Sequence, residues 1–443
     1  MTHPAPASSG NGATPPSPLR WWALALSAAT IFSSYYAADS IGPIADLLGR
    51  QRGFTQSQIG DLTAVISLPN IPLAVIAGLL IDRFGPARIT LWMALIGCVG
   101  AVLTAIGEPY ALMWTGRLVF GISEGTIFIS LVAGLARWFP RSGIALATAV
   151  YLSLARVGSY SLDKSPTWAR ALYEAGWQPP LVLAAAITGI GLIAAIALRW
   201  LDSKRPSSGK IRRPAGEKFN WAEISRFDLS YWYILGLHVL YAAVFFPFRQ
   251  TFAIEYFQHA KGLTLQQAGN VNSGVFAAAV FATPMFGLIA DRFGHRALML
   301  VMGTLLLPIT FVVLGLTDLN PWVSTVLMGV SFALVPAVIW PSTTLIVEPR
   351  RLGTALGVIT LLQNVGLWGS NRIAGWLADV AGAGPENPAG YDTMLWFFGI
   401  LSLTALTSAI LLWRREVGPT GHGLESARGP SPRLEPAAEA GSS

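Results

Sequence analysis

Arg156 and Glu124 stand inside long apolar stretches, where an unpaired charge is costly and marks a functional candidate. A guanidinium binds a carboxylate through a two-pronged hydrogen bond, so Arg156 suits capture of a carboxyl group from a solute. Glu124 suits an amine, or a proton. Each also has a plainer role open to it: Arg156 as the fixed partner of Glu124, and Glu124 as half of an ion pair with a neighbouring helix. Arg117 lies two helical turns before Glu124 on the same face, and nearer the helix start it reads as a structural or gating charge. Asp39 shares a face with Tyr35, four residues earlier, and lines either a cavity or its outer mouth. His238, Tyr241, Phe245 and Phe248 recur at helical spacing, as a packing stripe or a cavity wall, with His238 able to titrate near neutral pH. Arg249 follows Pro247, where backbone groups are freed, and reads as an outer gate charge. Asn364, Trp368 and Asn371 form another stripe, beside which Arg372 is a second candidate anion contact.

The elements that must position these residues are membrane helices. Of 443 residues, 53% are hydrophobic and 12% charged, half the charge of an ordinary soluble domain, so the bilayer is the solvent. Sixteen Trp fit an interfacial belt. Apolar stretches of about 20 residues, enough to cross the hydrocarbon core, fall at 21–43, 57–80, 87–107, 110–138, 142–162 and 177–200. A second six fall at 231–257, 264–289, 297–317, 322–346, 352–377 and 391–413. The expected fold is therefore all-α, with twelve transmembrane helices. A six-helix unit over 20–200 and another over 231–415 are joined by a basic linker, 201–230, and flanked by disordered tails, 1–19 and 416–443. Basic residues crowd one set of loops (Arg83, Arg88, Arg137, Arg141, the linker, Arg292, Arg296, Arg350 and Arg351), which places both termini in the cytoplasm.

Composition also excludes function classes. The net charge of +7 is scattered among loops with no stacking surface, which argues against nucleic acid. The single cysteine, Cys98, supports neither an internal disulfide nor a metal cluster. No phosphate-cradling loop and no His-Glu-x-x-His pattern is present, so no enzyme, metal or cofactor is expected.

One eight-residue pattern occurs twice. Gly78-Leu-Leu-Ile-Asp82-Arg83-Phe84-Gly85 ends the second stretch, and Gly287-Leu-Ile-Ala-Asp291-Arg292-Phe293-Gly294 ends the eighth, each trailed by a basic residue, Arg88 or Arg296. The first glycine is expected to let helices approach closely, the last to permit a tight turn, and the aspartate to meet the N-terminus of a neighbouring helix. The pattern resembles the loop signature of the major facilitator superfamily, as does Gly116-Arg117-Leu-Val-Phe-Gly121 in the fourth stretch. The resemblance covers the chain outside its tails and implies two pseudo-symmetric six-helix bundles around a midplane cavity. Ser153-Leu-Ala-Arg156-Val-Gly158-Ser159, Val244-Phe-Phe-Pro247-Phe248, Trp340-Pro341, Leu352-Gly353-Thr354-Ala355, Gln363-Asn364 and Pro69-Asn70 together resemble the lysosomal dipeptide transporter branch. That likeness implies a peptide carboxylate on Arg156 and a peptide amine on an acid of the fourth helix. Here Glu124 comes one residue before the branch acid, at whose place stands Gly125, and one residue turns a helical side chain by about 100°. The Gly121-x-x-Glu124-Gly125 arrangement is also similar to organic-anion symporters.

The sequence thus points to alternating-access movement of a small solute. Dipeptides or similar zwitterions come first, with Arg156, Glu124, Arg372, Tyr241, Asn364, Tyr35 and Asp39 as candidate contacts. A proton-coupled organic-anion symporter is the second reading, and a non-transporting membrane sensor or scaffold the third. The expected partners are the solute and the bilayer, with the chain working as a monomer in a bacterial inner membrane.

Overall fold

The computed structural model describes residues 18–140, 143–204, 224 and 226–426. Most of the expected linker and the outer parts of both tails lie outside this range, as does Arg141. The described chain is helical almost throughout. Its first portion comprises α1 (Leu19–Ala38), α2 (Ala45–Arg52), α3 (Gln56–Ala64), α4 (Ser67–Phe84), α5 (Pro86–Ile106), α6 (Tyr110–Trp138), α7 (Ile144–Asp163), α8 (Ser165–Trp168), α9 (Arg170–Ala175) and α10 (Gln178–Ser203). The second comprises α11 (Leu229–Pro247), α12 (Ala253–Lys261), α13 (Leu265–Phe293), α14 (Arg296–Leu316), α15 (Pro321–Ile346), α16 (Leu352–Val380) and α17 (Tyr391–Val417). A π-helical turn, Phe248–Phe252, joins α11 to α12 directly after Pro247, whose missing N–H breaks the α-helical ladder.

Among the described residues, eight helices are long and apolar enough to cross a membrane, and ten spans result if each of two bent helices counts as one. The twelve expected stretches include two that do not meet this measure, α1 and α7. The first holds Ser27, Thr30, Ser33 and Ser34, all buried, and the second holds Arg156 and the buried Ser159. Their polar residues turn inward against other helices, which lowers mean hydropathy without exposing polarity to lipid.

The chain repeats itself in conformation. Gly53 and Gly262 end α2 and α12 in the left-handed region, at φ +68° and +65°. Thr55 and Thr264 then open α3 and α13, each with a reciprocal capping box to a glutamine three residues on. Gly85 and Gly294 close the matched eight-residue patterns at φ +85° and +72°, as a tight turn requires. Each second member follows its counterpart by 209 residues (262 less 53, 264 less 55, 294 less 85).

Other expectations about these patterns are corrected. A Cβ added at Gly78 or Gly287 would meet nothing within 4 Å, so these glycines mediate no close helix approach here. Asp82, Arg83, Arg88, Asp291 and Arg292 are all exposed. Asp291 pairs with Arg296 at 3.1 Å. The carboxylate at the α14 N-terminus belongs to Glu425, which accepts from the Leu298 N–H at 3.1 Å and sits 2.9 Å from His295 Nδ1. Residues 418–426, part of the expected disordered tail, therefore form a strap over this turn, and Leu424 is fully buried in it.

The opposite end of the bundle is tightly sealed. Among the described residues, every ion pair joining the two portions lies there: Arg249 with Asp39 and Asp163, His259 with Asp46, and Arg372 with Asp61. Asp379 of α16 accepts from the Gln56 and Ser57 N–H groups at 2.7 and 2.8 Å, an anion on the N-terminus of α3. A Cβ at Gly375 would come within 2.5 Å of the Gln56 carbonyl, and one at Gly60 within 2.6 Å of the Asn371 carbonyl. Glycine is what lets the backbones touch at this end.

Candidate functional site

Four helices place one guanidinium in the middle of the bundle. Arg156 projects from α7 toward Tyr35 of α1, Phe276 of α13 and Phe332 of α15, with its guanidinium carbon 5.4, 5.3 and 4.7 Å from the three ring centroids. The rings come from both portions, and their faces supply partial negative charge to the cation. The cage is stiffened from behind. Phe332 stacks on Phe245 at 4.3 Å and meets Phe276 edge-on at 5.4 Å. Among the described residues Arg156 has no hydrogen bond and no carboxylate within ion-pair distance. The reading of Arg156 as a fixed partner of Glu124 is therefore not what the structure shows.

Glu124 is held on its own. Its Oε2 accepts from Asn70 Nδ2 at 3.1 Å, and Asn70 also donates back to the Ile66 carbonyl of its own chain segment. Arg156, Arg117 and Asp39 all lie close enough for their charges to act on this carboxylate. Arg117, two turns along α6, is fully buried and donates to the carbonyls of Leu62, Ala37 and Ala38. It ties α1 and α3 to α6 and is a structural charge.

The remaining candidates separate. Tyr35 joins Arg156 in the cage. Asp39 lies at the sealed end, where Arg249 Nη1 reaches its Oδ2 at 2.5 Å and Gln250 reaches its other oxygen at 2.8 Å. Arg372 is also at that end, 52% exposed, paired with Asp61 at 3.2 Å and stacked over Trp368. Tyr241 is buried against Ser331, with 3.0 Å between hydroxyls, and stacks on Phe245. Asn364 donates to Thr360 one turn back. His238 meets Gln363 at 2.8 Å and the edge of Trp340 at 4.9 Å, so three separated sequence patterns converge on one wall.

The sealed end holds Arg249, which the sequence offered as an outer gate charge, together with residues that sequence reasoning did not single out. Arg249 is buried, and its second nitrogen bonds Asp163 at the end of α7. Its guanidinium lies 4.1 Å from the centroid of Phe276, the same ring that faces Arg156. A second cluster joins His259, whose Nε2 and Nδ1 lie 2.8 Å from Asp46 and from the Tyr391 hydroxyl. Gln56 reaches Glu255 at 2.7 Å beside it. The one available signal was the Glu255–His259 spacing of four on a helix. Phe276 and Phe332 gave none, because aromatic residues in apolar helices read alike whether they pack, face lipid or line a site.

The shape and chemistry of this bundle define a membrane-embedded solute site. The Major Facilitator Superfamily model matches residues 27–257 and 234–439, and the chain belongs to that superfamily, one of transporters and not of enzymes. The chain is 29% identical over 398 residues to the lysosomal dipeptide transporter MFSD1 of Danio rerio, covering 86% of this chain and 84% of that one. It is 29% identical over 395 residues to the human protein of the same name, covering 86% and 83%. A probable sulfoacetate transporter, SauU of Cupriavidus necator, is 24% identical over 411 residues, covering 86% and 91%. Among solved structures, a bacterial homologue of the human lysosomal transporter Spinster, in an inward-facing and occupied conformation, superposes with TM-score 0.70 at 17% identity, covering 90% of this chain and 97% of that one. The nucleoside transporter NupG superposes with TM-score 0.72 at 12% identity, covering 88% and 99%. These two likenesses concern the fold.

Proposed function

We propose that this chain is a twelve-helix, two-bundle transporter that carries dipeptides or similar small zwitterions by alternating access. The observation that carries the reading is the Arg156 guanidinium, enclosed by three rings and left without a carboxylate. A half-buried cation in that setting has no fixed anionic partner, and a substrate carboxylate would supply one. Glu124, held separately by Asn70, offers an acceptor for the other end of a zwitterion. The 29% identity to dipeptide transporters over most of the chain supports the same substrate class. The basic loops support a cytoplasmic place for the two Asp-Arg-Phe-Gly turns and both termini, an orientation in which the sealed end faces outward. The preponderance of Arg over Lys and the Ala-rich composition support a bacterial inner membrane.

The test is uptake of radiolabelled dipeptides into proteoliposomes holding the full chain. Saturable uptake that survives collapse of the proton gradient, and that Arg156→Ala abolishes, is the expected result. A second reading is proton-coupled transport of a small organic anion, supported by the likeness to a probable sulfoacetate transporter and by a Glu124 available to titrate. Uptake of carboxylates or sulfonates that requires an inward proton gradient, with dipeptides inert, would replace the first reading with this one.

A further inference from the structure

The acid on α6, Glu124, is followed by a glycine that lies against the residue holding it. α4 and α6 are in backbone contact. A Cβ at Gly121 would run into the Ile66 carbonyl, and one at Gly125 would lie 2.5 Å from Asn70 Oδ1 and 3.0 Å from its Cγ. Ile66 and Asn70 are one helical turn apart, as are Gly121 and Gly125, so one turn of α4 lies in a groove of two bare glycines. A side chain at position 125 would require the Asn70 amide to move from this position.

The same contact fixes the Asn70 amide. Its oxygen lies against Gly125, buried and without a hydrogen-bond donor, while its nitrogen faces Glu124 and donates to Oε2. Turning the amide over would set its oxygen against the carboxylate, two acceptors face to face. Oε1 of Glu124 has no hydrogen-bond partner among the described residues, and it is not among the buried orphaned atoms. One oxygen is therefore fastened and the other is presented.

We infer that Asn70 is a positioning residue that holds Glu124 so that Oε1 receives a substrate ammonium group, and that Gly125 is required to seat it. The inference deepens the zwitterion reading and rests on it. Asn70 acts through Glu124 and confers preference for a free amine, whereas Arg156 serves the carboxylate. An oriented charge-assisted acceptor is worth about tenfold in affinity or more.

The experiment compares alanyl-alanine with N-acetyl-alanyl-alanine, which keeps the carboxylate and removes the ammonium. Affinities are measured by thermal shift on purified full-length protein for wild type, Asn70→Ala, Asn70→Ser and Gly125→Ala. The wild type is expected to prefer the free amine by about tenfold. In each variant that preference collapses to roughly threefold or less, with the affinity for the acetylated ligand unchanged. A purely structural role predicts equal weakening of both ligands, and that result, or a preference kept intact in the variants that fold, overturns the assignment. Three substitutions on two helices keep the test decisive when one of them misfolds. Wild type that binds alanyl-alanine with no preference for the amine also overturns it, leaving Arg156 untouched. Wild type that binds neither peptide and does bind a simple carboxylate instead overturns the zwitterion reading itself, and the Asn70 role with it.

Discussion

Arg156 and Arg249 are two guanidiniums near one ring, Phe276, and they are treated in opposite ways. Arg249 is doubly paired: a carboxylate from the end of α1 and another from the end of α7 bond its two terminal nitrogens, across the boundary between the two portions of the chain. Arg156 has three rings and no carboxylate. Both conditions satisfy physics differently. A buried charge with its partners in place is a lock, because parting them strands charges in low dielectric. A half-buried charge that meets ring faces and no carboxylate keeps its capacity to bind an anion. On the proposed function, the paired arginine holds one end shut and the arginine without a carboxylate takes the substrate. Phe276 is a contact shared by both guanidiniums, 5.3 and 4.1 Å from its centroid.

Removing the lock is expected to have the largest effect. Arg249→Ala leaves Asp39 and Asp163 buried and unpaired, and destabilises the sealed state by about 3–5 kcal/mol. Thermal unfolding in detergent should fall by several degrees, and a cysteine in place of the buried Ser40, in a chain with Cys98 replaced, should become reactive to a membrane-impermeant thiol reagent from outside. Unchanged protection of that cysteine would remove Arg249 from the gate. Arg156→Ala comes next, and its signature is the reverse: dipeptide affinity falls by about 30-fold or more, the equivalent of a charge-assisted bond lost, while thermal stability holds or rises. A stability loss as large as that of Arg249→Ala would show that Arg156 is a structural charge after all.

Phe276→Leu tests whether the two sites are linked. It keeps apolar volume and removes the ring shared by both cations, so substrate affinity and gate protection should each weaken, by about 1 kcal/mol apiece. An effect confined to one readout would uncouple them. Glu425→Ala is the smallest. It removes the carboxylate from the α14 N-terminus at the opposite end, costs about 1 kcal/mol, and leaves peptide affinity unaltered in the same binding assay.

Much of the architecture was legible because its signals are local. The glycines at 85 and 294 announced turns that need a positive φ, and the structure has them. A bilayer admits few charges, so Arg156 and Glu124 stood out in their apolar stretches, and the structure places them near one another. The leading glycines of the same patterns were misjudged for an equally physical reason. Close approach depends on what the neighbouring helix is doing, and at Gly78 and Gly287 no neighbour is there. Gly60 and Gly375, inconspicuous in sequence, are the ones pressed against backbone.

Arg249 stood out as an outer gate charge, but its partners were illegible for a different reason. Arg249 lies 210 residues from Asp39 and 86 from Asp163, and Asp163 beside Lys164 reads as an ordinary loop charge. Which carboxylate meets which guanidinium is settled by helix packing and not by spacing. The sequence by itself determined the solvent, the helices, the repeat and the charges that membrane burial makes conspicuous, since each follows from composition or from contacts a few residues apart. Only the tertiary structure decided that one arginine is satisfied and the other is not, because a charge's partners are chosen across helices that the chain brings together from distant positions.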